Sequence, residues 1–241
     1  NLFGNVATAY ETPTTVELSQ SPTGAGGFNQ ELGPQDLTSV EFGARGLISP
    51  ARLRYEATVF VSTVDNALVS FQNPDDQTFF RNAGKSSRDG VELALEWVPT
   101  SSFNTRVAYT YQDFVFEEFA TGGNDFAGNL EPGAPPHRIF FGANYTAPFG
   151  LRSGATVRWV DRFAANNANT VYNWSYAVVD LRFGYDGQWG GVDVRPFLGI
   201  DNLFDERYNS SIITNAFGGR YFEPSPDREF YVGFTIGTGV R

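Results

Sequence analysis

Apolar and polar residues alternate along most of this chain with a period of two. That period belongs to strands with one greasy and one polar side. The clearest pair of such runs lies near the end. In residues 192–200, Val192, Val194, Pro196, Leu198 and Ile200 face one way, and Asp193, Arg195, Phe197 and Gly199 the other. In residues 230–240, Phe230, Val232, Phe234, Ile236 and Val240 oppose Tyr231, Gly233, Thr235, Gly237 and Gly239. Eight earlier runs repeat the pattern, at residues 1–10, 39–47, 52–64, 90–97, 103–116, 138–147, 151–163 and 174–185, the first of them weakly patterned. Pro196 interrupts a run that otherwise reads as a paired strand, which predicts a bulge or a shifted register there.

The runs are about 9–14 residues long, enough to cross a bilayer when tilted. Their connections alternate in length. Long ones follow Tyr10, Val64, Phe116, Phe163 and Phe204, and short turns lie near Ser49, Thr100, Phe149 and Asp186-Gly187. A soluble sandwich has no reason to place every long loop at one end, whereas an outer-membrane barrel does. The pattern therefore predicts an all-β chain: about ten strands of an antiparallel transmembrane β-barrel, with short periplasmic turns and long extracellular loops. The rivals are a soluble carbohydrate-binding sandwich with one buried and one wet face, and a self-standing ten-stranded outer-membrane barrel. Alternation alone does not separate them.

Composition sharpens the picture at a few points. The polar face carries Arg, Glu, Asp, Asn, Thr and many of the 26 glycines. That is too little bulk to fill a small barrel, so this face is expected to line a wide lumen or meet a polar plug. The apolar face carries Trp97, Trp159, Tyr111 and Tyr185 towards strand ends, as an aromatic girdle does. A net charge of −10 argues against nucleic acid as a partner. The absence of Cys excludes disulfides and thiolate metal sites. No apolar run reaches the roughly 18 residues of a membrane-spanning helix.

The sequence offers little for catalysis, and no cofactor, resident metal or enzymatic activity is expected. His137 is the only histidine. It has no Gly-x-Ser-x-Gly elbow to serve and reads as structural. Asp75-Asp76 and the Asp201/Asp205 pair lack calcium-loop spacing and read as solvated turn acids. Asp201-Asn202 would order the start of the last loop by side-chain-to-backbone bonds. Ligand capture is the remaining chemistry. The outward ends of the polar face carry Gln112, Phe114, Arg138, Arg158, Arg162, Trp174 and Tyr176, and the last loop adds Arg207, Tyr208, Arg220 and Tyr221. Arginines among aromatics suit a planar anionic ligand, such as a catecholate chelate or a quinone carboxylate. The alternative is that these arginines pair with acids of a plug or of neighbouring strands.

Asp201-Asn-Leu-Phe-Asp-Glu-Arg-Tyr208 resembles the C-terminal signature of TonB-dependent outer-membrane receptors. Tyr10-Glu-Thr-Pro, Asn82-Ala-Gly followed by Gly90-Val-Glu, and Pro132-Gly-Ala-Pro-Pro-His-Arg138 resemble further segments of that family, in its order. Phe28-Asn-Gln-Glu-Leu-Gly-Pro34 and Gly219-Arg-Tyr-Phe-Glu-Pro-Ser-Pro226 resemble a subgroup with siderophore and pyrroloquinoline quinone receptors. The resemblance implies a barrel of about 22 strands around a plug. Residues 1–241 would then be its C-terminal part, with the plug, the TonB box and about twelve strands elsewhere, and with Arg241 one residue short of the family's terminal aromatic. It implies location in the Gram-negative outer membrane and active uptake of a scarce small molecule. A ferric siderophore or similar metal chelate is the first expectation, and pyrroloquinoline quinone or another organic cofactor the alternative. The implied partners are outer-membrane lipid, the receptor's own plug, and the TonB–ExbB–ExbD complex reached through the N-terminal part.

Overall fold

The structure, a computed structural model, describes residues 1–19, 21, 27–75 and 77–238. Asp76, Gly239, Val240, Arg241 and most of the 22–27 glycine stretch lie outside the described residues. Ten long strands account for about half of the chain. They are β1 (Leu2–Glu11), β2 (Gln35–Ile48), β3 (Leu53–Asp65), β4 (Lys85–Thr100), β5 (Phe103–Glu118), β6 (His137–Thr146), β7 (Leu151–Val160), β8 (Tyr176–Tyr185), β9 (Val192–Asp201) and β10 (Glu229–Thr238). Each pairs antiparallel with the next, so chain order and sheet order coincide. A short strand, Gly187–Trp189, brings the sheet to eleven. Among the described residues, β1 pairs only with β2, and β10 only with β9.

The expected alternation becomes two continuous faces. One row of facing residues runs Val59, Val91, Tyr111, His137; the next runs Ala57, Leu93, Tyr109, Ile139, Trp159, Ala177. Among the described residues no second layer covers this apolar face. Val6 is 71%, Phe42 61% and Val232 84% exposed. Contiguous apolar surface on this scale is far beyond the few hundred Å² that a soluble monomer tolerates. That removes the sandwich, whose oily sides would press together. A strand of ten residues rises about 33 Å. Tilted by about 45°, it spans roughly the 25 Å of a barrel's apolar band. No described helix is long and apolar enough to cross a membrane, a fact that says nothing about strands.

The opposite face is polar but not empty. Its glycines hold aromatic rings from the neighbouring strand. The Phe60 ring lies over Gly90, Tyr231 over Gly199, and Phe197 over Gly233, so a Cβ added at any of the three would collide. Phe197 and Tyr231 thus sit across each other's glycine on β9 and β10, ring centroids 6.5 Å apart.

Several boundaries differ from the expected runs. β2 and β4 begin at Gln35 and Lys85, earlier than expected, because polar residues above the apolar band continue the ladder: Asp36 faces Asp65, which faces Lys85. β7 stops at Val160 and β8 starts at Tyr176. Residues between them form their own small ladder, Phe163–Ala164 with Tyr172–Asn173. The turn expected at Asp186-Gly187 is instead at Gly190-Gly191, whose φ values of 60° and 82° fit the two-residue turn that suits strand twist. Pro196 marks neither a bulge nor a slip. Gly184 pairs with Phe197 and Gly187 with Val194 in one register, and the ladder is interrupted only opposite Arg195 and Pro196. On the other side Pro196 pairs regularly with Phe234.

Among the described residues a packed apolar core lies at the long-connection end of the sheet, shared by strand ends and the connections beyond them. Val64, Ala67, Ala83, Phe116 and Phe119 are buried together, with Leu37, Val69 and Phe126 against them. The 66–84 connection folds as a hairpin, Leu68–Gln72 with Thr78–Asn82. The last one carries another, Asn209–Ile212 with Phe222–Pro224.

The glycine–aromatic pairs make a direct prediction. Gly199→Ala should destabilise the assembled sheet by about 1–3 kcal/mol, the usual penalty of overpacking. Gly237→Ala, on the same face with open space around it, should be neutral. Heat-induced loss of the compact band in semi-native electrophoresis reads the difference.

Candidate functional site

The polar face meets the long connections around β6, β7 and β8. Arg138 faces Val160, which faces Tyr176. One row nearer the short turns, Arg158 faces Val178. Tyr176 is half-buried and lies within reach of the charges of both arginines. Its ring packs on Tyr208 at a 4.6 Å centroid separation. Two exposed guanidinium groups and two phenols therefore share one patch of the wall. A recess of about 300 Å³ opens beside it, with Arg158, Arg182 and Tyr208 on one side and Asp201, Asp227 and Glu229 on the other.

Asp180 organises this patch. Its carboxylate is nearly buried and accepts from Arg158 Nη2 at 3.1 Å, from Thr156 Oγ1 at 3.1 Å and from the Asn202 backbone N–H at 3.0 Å. Asn202 takes the left-handed conformation at φ 54°, which asparagine tolerates better than most residues. Its side chain then holds both backbone groups of Glu206, each at 2.9 Å. Asp205 Oδ1 accepts from the Arg228 N–H. The expected ordering of this loop start is thus made by Asn202, Asp205 and Asp180. Asp201 itself faces Glu229 across the ladder.

The other expected residues fall into three groups. Gln112 and Phe114 lie on β5, where Gln112 N–H donates to Pro136 O. Phe114 sits 5.6 Å beneath the Arg88 guanidinium, which Glu131 grips with both oxygens. Arg162 and Trp174 lie beyond the strand ends in the 161–175 connection, so strand alternation does not place them. Arg162 stacks over Tyr172 at 4.7 Å and Trp174 at 5.9 Å, and Trp174 is 72% exposed. Arg207 and Arg220 are exposed on the last connection, while Tyr221 turns towards the neighbouring connections. Asp180, Arg182 and Tyr208's stack on Tyr176 were not singled out from sequence. Asp180 was marked only by being an acid on the polar side of its run.

His137 faces the apolar side, opposite Tyr111. Tyr109 Oη lies 2.9 Å from its Nδ1, and both tyrosine rings pack on it. It belongs to the aromatic rim of the apolar band. Among the described residues no three His, Cys, Asp or Glu side chains converge as a metal site.

The connections above the wall are tied to each other by asparagines. Asn215 donates to Ser70 O at 3.0 Å and to Asn167 Oδ1 at 3.1 Å, and accepts from Asn167 N–H at 2.8 Å. Asn169 exchanges two bonds with Leu130, and Asn173 two with Asn209. Asn82 does the same with Gly33.

This chain matches the family described as TonB dependent receptor-like, beta-barrel, over residues 1–203. It belongs to that family. The probable TonB-dependent siderophore receptor PiuA of Acinetobacter baumannii is 28% identical over 204 residues, 80% of this chain and 26% of that one. The ferrioxamine receptor of Yersinia enterocolitica is 29% identical over 143 residues, 58% of this chain and 20% of that one. This chain therefore spans about a quarter or less of the length of these relatives. Solved structures agree on the fold. The siderophore receptor PiuA from A. baumannii superposes with a TM-score of 0.73 at 22% identity, over 98% of this chain and 33% of that one. The unliganded ferric citrate transporter FecA gives 0.73 at 22%, over 98% and 36%. The copper transporter OprC gives 0.72 at 21%, over 97% and 35%. Receptor barrels of this family are outer-membrane proteins that receive a plug domain and work with TonB. The polar face is accordingly the lumen wall, and the long connections are the loops above it.

The asparagine ties predict a local effect. Asn215→Ala removes three links between loops and leaves buried groups unpaired, at about 1–3 kcal/mol. Amide exchange should accelerate in residues 66–72 and 165–169 and stay unchanged in β6 to β9. Equal exchange in both would show that the loops hold without this residue.

Proposed function

We propose that this chain forms part of the wall and loops of an outer-membrane importer that draws an anionic metal chelate of the ferric siderophore type into its lumen. The observation that carries the reading is the patch of Arg138, Arg158, Tyr176 and Tyr208 at the top of the lumen wall, in a chain whose sequence relatives include a probable siderophore receptor and a ferrioxamine receptor. Guanidinium groups supply charge-assisted, directional bonds to carboxylate, catecholate or hydroxamate oxygens. The tyrosine pair supplies a flat surface with hydroxyl groups. Arg162 beside Trp174, and Arg207 and Arg220 on the last loop, would meet the ligand earlier. Gln112 and Phe114 would border it from β5. None of these chemistries needs a resident metal or cofactor. The iron arrives as cargo.

Uptake is then driven as the family membership suggests, by TonB–ExbB–ExbD acting on a plug that sits against this wall. Exposed lumen charges such as Arg54, Glu96, Arg106 and Arg152 would meet that plug. Exposed ion pairs such as Arg54–Glu96, at 3.9 Å, add little stability by themselves.

The test is chelate affinity of the full-length receptor in detergent. Arg138→Ala with Arg158→Ala should weaken a cognate ferric chelate roughly 10- to 100-fold, the equivalent of one or two charge-assisted bonds. Arg54→Ala, near the short turns, should leave affinity within about twofold. Undiminished affinity in the double variant would remove this patch from the binding site.

A further inference from the structure

A second feature lies above the wall, among the loops, and does not depend on which chelate the receptor carries. The 66–84, 119–136, 161–175 and 202–228 loops enclose a recess of about 230 Å³. Its floor is apolar and fixed, because Phe119 is buried in the loop core with Phe116 and stacks on Phe126 at 5.4 Å. Its rim is polar, carrying Asn166, Asn167 and Tyr221. Into this space projects Arg81. Its guanidinium lies 3.6 Å from the Phe71 ring centroid and donates to Thr121 Oγ1.

Arg81 differs from two other arginines of this end. Arg88 has Glu131 at 2.9 Å, and Arg158 has Asp180 at 3.1 Å. Among the described residues no carboxylate pairs with Arg81. Partial burial nonetheless takes away some of its water and lowers its pKa from the ordinary guanidinium value. A partly desolvated cation with no carboxylate beside it among the described residues is costly. A hydroxyl and one aromatic face compensate it only in part. Such a group is poised for an anion that also brings a ring, since the recess around it is walled by Phe119, Phe126 and Tyr221.

We propose that this inter-loop recess is a binding site for a small planar aromatic anion of benzoate size, held by Arg81 through its charge and by the surrounding rings through stacking. The volume fits a single substituted ring and not a whole chelate. The carboxylate or catecholate edge would sit on the outer edge of the guanidinium. Tyr221 and Asn166 would offer it further donors. The ring can come alone or as one arm of a larger metal complex. The chemistry recognised is the same.

The experiment is titration of salicylate, followed by its own fluorescence, into the full-length receptor carrying Arg138→Ala and Arg158→Ala. In that background a failure of the lumen patch leaves this measurement standing. Salicylate should saturate one site, and cyclohexanecarboxylate and benzyl alcohol should each bind at least tenfold more weakly. Arg81→Gln keeps a planar donor for Thr121 and removes the charge. It should weaken salicylate at least tenfold while heat resistance in semi-native electrophoresis is retained. Should Arg81→Gln fail to assemble, Tyr221→Ala carries the same comparison with a threefold or greater loss expected. Ferric salicylate titrated separately distinguishes the sources. Binding of both forms points to a free ring, and binding of the ferric form alone to an arm of a chelate. Absence of binding by either form, equal binding of cyclohexanecarboxylate, or an unchanged affinity in the charge-removed variant would each overturn the site.

Discussion

A strand inside hydrocarbon has nowhere to place its backbone N–H and C=O groups except on its neighbours. The architecture follows from that constraint. Each interior strand from β2 to β9 is paired on both sides, and the cheapest way to do so is to pair every strand with its sequence neighbour. A meander of tilted strands then puts successive connections at opposite ends. Side chains at period two fall on opposite faces, so one face must satisfy lipid and the other water. Val59, Val91 and Tyr111 in one row, against Glu56, Arg158 and Asp180 on the far side, are the result of backbone satisfaction as much as of side-chain preference.

This constraint also explains where the packed core is. A sheet that faces lipid on one side and a lumen on the other has no interior to fill. Its side chains pack against their neighbours within the sheet, as Tyr231 does over Gly199 and Phe60 over Gly90. Burial in the soluble sense begins above the membrane band, where Val64, Phe116 and Phe119 close over one another. That small core and the asparagine ties give the loops a shape of their own. Asparagine is suited to the task because its side chain carries donor and acceptor together and can copy a strand's pairing, as Asn82 does with Gly33. A loop held this way presents fixed arginines to solvent and does not need a strand beneath each one.

The period-two signal explains both what was legible beforehand and what was not. Strand positions, the two faces, loop asymmetry and the lumen placement of Arg138, Arg158 and Tyr176 all follow from counting alternate residues. The count fails where the ladder ends. Arg162 and Trp174 were assigned by parity across residues 161–175, but the chain there leaves the sheet and forms a separate pair of short strands. The turn at Gly190-Gly191 was missed because Gly187–Trp189 continues the ladder after a gap made by Pro196. Contacts between distant loops, such as Asn215 with Ser70, have no local signature. Neither does the Arg81–Phe71 stack. Both depend on which loops the barrel brings side by side.

Asp180 shows how such a wall can hold charge and still release it. The carboxylate has three donors, and Arg158 is only one of them. An anion in the lumen that draws Arg158 away leaves Asp180 with the Thr156 hydroxyl and the Asn202 N–H, so no buried charge is stranded. Arg158 is about half exposed and needs no rearrangement of the backbone to turn. The same carboxylate holds the left-handed Asn202 that starts the last loop. The wall's arginine and the loop's first turn therefore share one acceptor. A change in how tightly Arg158 is held would bear on the same carboxylate that holds the Asn202 N–H at the start of the loop.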